Sequence, residues 1–136
     1  MSALSMPLQG FPTRFPYGVP SNPVVAKGAA DALPVADEVV MVTASAVDAM
    51  TLPLPVAGVY PANLSLGDLL GDPKDDGKSI LLIVTTAFAH TITTPTGGIN
   101  KTLHIVTFTA VVGNWIYLFA FGGTWYVIGS QGATLS

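Results

Sequence analysis

The sequence predicts an all-β fold, a jelly-roll-like β-sandwich preceded by an extended proline-rich N-terminal arm, on three observations. From Glu38 onward, β-branched and aromatic residues gather in short runs that end in Gly, Pro, Asn or Asp. The later runs are separated by Gly113-Asn114 and Gly122-Gly123, two-residue pairs suited to the positive φ of primed hairpin turns. Little of the chain carries helical periodicity. About eight short strands punctuated in this way fit a sandwich or jelly roll rather than an α/β fold.

Taken in order, residues 1–36 read as the arm. They hold six prolines, three glycines and the aromatics Phe11, Phe15 and Tyr17. Phe11-Pro12, Phe15-Pro16 and Val19-Pro20 favour extended backbone, because proline fixes its own φ and pushes the preceding residue out of the helical region. A purely disordered tail is poor in aromatics, so Phe11, Phe15 and Tyr17 point to an arm that docks, either on a partner or back over its own domain. The remaining 37–136 form the sandwich domain. Strands are expected over 38–43, 47–54, 79–86, 90–93, 102–112, 115–121, 124–129 and 133–136, with Pro53 and Pro55 ending the second or marking it as an edge. The run 59–70 fits neither period, and a helical turn after Asn63 or Ser65 is open there. The stretch 71–78, with five of the thirteen charged residues, reads as a solvated turn. It lacks the Glu that an EF-hand loop places at its twelfth position.

A chain of 136 residues can bury one core. Half of it is apolar and 10% is charged, against roughly a quarter charged in ordinary soluble domains. Such a composition suits a subunit that covers much of its surface with partners. The net charge of −3 and five scattered basic residues give no footprint for nucleic acid. No signal peptide is expected, since the start lacks a cationic stretch followed by an unbroken apolar run. Residues 103–121 are long enough to cross a bilayer. His104, Thr107, Thr109 and Gly113-Asn114 would then lie unpartnered at membrane depth, so strands and no membrane are expected.

Chemistry is sparse. Without cysteine there is no thiolate metal site. His90 and His104 could meet across a sheet, but two ligands do not complete a zinc site. His104 lacks a neighbouring carboxylate and reads as a sheet residue. Neither glycine pair belongs to a phosphate-binding motif. A trimeric β-fold nucleotide hydrolase would need paired carboxylates and a basic set that the sequence does not supply. The expectation is therefore a protein that is not an enzyme and takes no cofactor or metal.

The informative run is Trp115-Ile116-Tyr117-Leu118-Phe119-Ala120-Phe121. Alternation puts the aromatics on one face and Ile116, Leu118 and Ala120 on the other, so neither face is made for water. One face should build the core and the other meet a partner, the arm, or a cover within the subunit. Trp115, Tyr117 and Phe119 are the expected interface residues, with Phe11, Phe15 and Tyr17 of the arm. Trp125 is expected in the core or capping one end of the sandwich.

Asp75-Asp76-Gly77-Lys78 before an apolar strand, then Ala89-His90-Thr91-Ile92-Thr93, then Gly123-Thr124-Trp125, then the closing Gly132-Ala133-Thr134-Leu135-Ser136, span about the last sixty residues. Their order resembles the capsid decoration, or cement, proteins of tailed bacteriophages, among them jelly-roll cement proteins of podophages, and some head-fibre domains. The resemblance implies a virion protein on the outer surface of the capsid. Such a protein would bind the major capsid protein and itself, as a homodimer or homotrimer, and bridge adjacent capsid subunits against the pressure of packaged DNA. The alternative is a head-fibre or receptor-binding, glycan-binding β-domain. The first 36 residues lie outside the resemblance.

Overall fold

In the computed structural model, which describes residues 23–61 and 71–136, the described chain folds as nine strands in two facing sheets. The strands are β1 (Val24–Ala26), β2 (Glu38–Val42), β3 (Ala49–Thr51), β4 (Ser79–Val84), β5 (Thr91–Thr93), β6 (Ile105–Phe108), β7 (Trp115–Phe121), β8 (Thr124–Gln131) and β9 (Ala133–Leu135). One sheet runs β1-β2-β4-β7-β8 and the other β3-β5-β6-β9. This is the all-β sandwich the sequence predicts, with mixed strand directions: β1–β2, β2–β4 and β3–β5 pair in parallel and the rest antiparallel. Phe11, Phe15, Tyr17 and the 62–70 portion of the ambiguous run lie outside the described residues.

The chain keeps changing sheets, which accounts for the pairing. After β2 it visits the four-stranded sheet at β3 before returning as β4, so β2 and β4 enter from the same end and pair in parallel. The same excursion makes β3 and β5 parallel. Ser79-Ile80-Leu81-Leu82-Ile83-Val84 has apolar side chains on both faces, as a central strand should, and it sits between β2 and β7. Between the sheets, Val40, Val42, Leu82, Val84, Ile116 and Leu118 meet Met50, Ile92, Val106 and Phe108, and all ten are buried. Trp125 is fully buried, and its indole N–H donates to the Pro53 carbonyl at 2.8 Å.

Residues 24–35, the described end of the arm, follow the second of its two expected courses, back over their own domain: β1 pairs with β2, and Ala26 and Leu33 are buried in the core. Two sequence expectations change. The 47–54 strand shrinks to Ala49–Thr51, because Pro53 and Pro55 have no N–H to extend a ladder. Gly113-Asn114 is not a hairpin turn, since β6 and β7 belong to different sheets. There the Gly113 N–H donates to the Val84 carbonyl, and the Val84 N–H donates to Asn114, so the pair prolongs the β4 ladder at a crossover. Gly122-Gly123 does close the β7–β8 hairpin, with φ of 60° and 81°.

The passage from β8 to β9 is the tightest point of the crossing chain. Gly132 has φ +68°, and a Cβ there would overlap the side chain of buried Asn114. The Asn114 amide donates to the Thr109 carbonyl at 2.9 Å and to its hydroxyl at 2.8 Å. Gly132→Ala should therefore cost about 2–4 kcal/mol in chemical denaturation, from positive φ and a displaced buried amide. A cost under about 0.5 kcal/mol would show that the amide relaxes freely.

Candidate interaction surface

The two outer faces of the sandwich differ in chemistry. On the four-stranded sheet, the outward rows are Ala49, Thr91, Thr107 and Thr134, and Thr51, Thr93 and Ile105, so five of these seven positions are threonine. Threonine is the ordinary compromise at a wet β position, β-branched for the strand and hydroxylated for water. This is how the protein makes a face for solvent.

The five-stranded sheet is built otherwise. Burial along β7 alternates, with Ile116, Leu118 and Ala120 buried and the aromatics facing out. Register then lines up rows across the sheet. Val25 lies beside Met41, Ile83, Trp115 and Gln131; Val39 lies beside Leu81, Tyr117 and Gly129; Phe119 lies between Ser79 and Tyr126. None of these side chains is charged. Phe119 is 36% exposed, Phe121 53% and Val25 52%, so the apolar surface reaches water from the edge strand to the far hairpin. A face like this on an isolated domain is the kind of patch that marks a contact site.

Local geometry fixes parts of the face. Gly129 lies under the Trp115 ring, which a Cβ would meet at 3.1 Å, so the missing side chain lets the indole settle across β8. A register shift beside Tyr117 and Leu118 bulges β8 and leaves Ile128 60% exposed. At the hairpin end the rim is polar. The Asp76 carboxylate accepts from the Gly122 N–H at 2.8 Å and from the Tyr60 hydroxyl at 2.7 Å. Lys78 pairs with Asp75 at 2.7 Å, and Lys74 with Asp72 at 3.0 Å. The Tyr60 bond holds the Asp76 carboxyl below its usual value, and Lys78 does the same for Asp75. These carboxylates are committed to turn contacts, in keeping with the solvated turn expected from sequence. An apolar centre with a polar margin is the usual plan of a protein contact.

Of the expected interface residues, the structure brings Trp115, Tyr117 and Phe119 together on one face. Sequence reading missed Val25, Val39, Met41 and Tyr126 as their neighbours. Their alternation was visible, but which strands adjoin β7 was not. The histidines do not meet. The β5–β6 pairing sets His90 against Phe108 and His104 against Thr94, about four residues apart along the ladder or roughly 13 Å. Among the described residues no group of three His, Asp or Glu side chains could hold a metal ion. Among them, too, no helix is long and apolar enough to cross a membrane, and 103–121 contains β6 and β7. No protein-family model and no curated protein matches this sequence.

Proposed function

We propose that this protein is a capsid decoration protein. In this reading the outer face of the five-stranded sheet lies against the major capsid protein on the outside of a phage head, and copies associate as dimers or trimers to bridge capsid subunits. The observation that carries the reading is the contrast of faces: threonines predominate on one sheet, with Ala49 and Ile105 among them, while uncharged and mostly aliphatic or aromatic rows cover the other. No pocket is needed for such work. Apolar area removed from water contributes about 25 cal/mol per Å², and many copies repeat a modest contact around a closed shell. The motif order in the last sixty residues adds the phage context.

A glycan-binding fibre domain is the second reading, and the exposed aromatic rings of Phe119 and Phe121 favour it, since such rings can stack on sugars. Against it, Ser79 and Thr124 beside these rings are buried, which leaves the Tyr126 hydroxyl as the cross-strand neighbour to fix a sugar in direction.

Cryo-electron microscopy of the parent particle tests the proposal. Density of this size outside the shell, at two-fold or three-fold positions and with the five-stranded sheet toward the capsid, is the expected result. Bare shells, with the protein found on a fibre or absent, would reject it.

A further inference from the structure

Asp48, at the end of the β2–β3 connection, is fully buried. Its N–H donates to His90 Nδ1 at 3.0 Å, its carbonyl accepts from Thr91 at 3.1 Å, and its Oδ1 accepts from the Asp31 N–H at 3.0 Å. Oδ2 has no donor, the one buried side-chain polar atom among the described residues so placed. The Asp31 N–H bond holds that residue against Asp48, with the Asp31 side chain within hydrogen-bonding reach of the Asp48 carboxyl. Two carboxyl groups bond only when something positive lies between them.

Among the described residues no side-chain cation supplies that charge. His90 accepts at Nδ1, while its Nε2 lies 3.0 Å from the Thr86 hydroxyl, which itself donates to the Ala44 carbonyl at 2.7 Å. These bonds assign a neutral ring protonated at Nε2. Lys27 is exposed and meets Asp31 through its backbone. The connections 43–47 and 109–114 carry no charged residue. Backbone N–H groups of Lys27 and Gly28 point at Asp31, the latter at 2.7 Å. Donors around a site suit a proton between the acids, whereas a metal ion needs acceptors.

We propose that Asp31 and Asp48 share a single proton, forming a latch that holds the 27–33 strap against β3 at mildly acidic pH and loosens above neutrality. The pair sits where it can act so. Residues 27–33 leave β1 on one sheet and run beside β3 on the other, where Ala49 donates to Ala29 at 2.9 Å, Thr51 to Asp31 at 2.9 Å and Leu33 to Thr51 at 2.8 Å. Repulsion between two ionised carboxylates acts directly on this strap and, through it, on the three-residue edge strand β1.

Burial first, then the bond to Asp31, pushes the Asp48 carboxyl up to about 6 from an ordinary 3.8. Asp31, bonded by Asp48 and by Gly28, is held low. The folded form therefore binds more protons between those two values, and stability falls as pH rises through that window. His90 acts in the opposite sense. Burial lowers its pKa, so it favours unfolding as pH falls through about 6.5. Comparing the protein with a single variant at each pH cancels that contribution.

The test uses Asp48→Asn, whose amide can donate to Asp31 as the shared proton does. Its melting temperature should gain on that of the unaltered protein as pH rises from about 4.5 to 7.5, the gap widening by about 5 °C. In the unaltered protein, carboxyl-carbon NMR should show one titration near pH 6 sensed at both Asp31 and Asp48. Two independent titrations below about pH 4.5, or a melting gap constant with pH, would overturn the shared proton. So would added calcium that raises the melting temperature of the unaltered protein and not of the variant. The NMR titration decides the matter even if Asp48→Asn fails to fold.

Discussion

Trp125→Ala should cost about 3–5 kcal/mol, a large part of the stability of a domain this size. The side chain is fully buried, and its loss opens a cavity where β8 meets the 98–100 segment, which bonds to it through Asn100 and Gly98. It also leaves the Pro53 carbonyl without the indole donor. Trp125→Phe should recover most of the packing and leave mainly that hydrogen bond missing, at about 1–2 kcal/mol. Urea denaturation separates the two. Near-equal costs for Ala and Phe would mean that the bond, rather than the volume, holds this corner.

The second large effect concerns the outer face. Phe119→Glu combined with Phe121→Ser puts a charge and a hydroxyl at two exposed positions, so folding should change little. On the proposed decoration role, binding to capsids should weaken about 100-fold or more, because a carboxylate would be desolvated where that role buries apolar area. The control is Thr51→Glu with Thr93→Ser on the opposite sheet, both outward positions, which should leave binding unchanged. Equal losses from both pairs would mean that neither face is specific. Loss from the threonine pair alone would move the contact to the other sheet.

Much of the strand content was legible because alternation is a local property. The run 115–121 is β7 from end to end, since each residue declares its side by type. Gly122-Gly123 announced its hairpin because two adjacent positive φ values suit few other pairs. By contrast, Val24-Val25-Ala26 is too short to signal a strand and forms one only because β2 lies beside it. Gly113-Asn114 carried the same local signal as a hairpin and yet joins two sheets, a difference that lies wholly in where β6 and β7 find partners. The Asp31–Asp48 pair was hidden for the same reason. Seventeen residues separate the two acids, no motif links them, and only the strap along β3 brings them together.

By itself, then, the sequence determined which side chains share a face within each strand, and that both faces of β7 are apolar. It could not choose between them. The sandwich made that choice by placing Ile116, Leu118 and Ala120 in the gap of roughly 10 Å between facing sheets. Compact aliphatic groups interdigitate there with Met50, Ile92 and Val106, and the bulkier rings of Trp115, Tyr117 and Phe119 are left outward. Which face is core depends on the volume the opposite sheet leaves free, and that volume is set by residues far away in the chain.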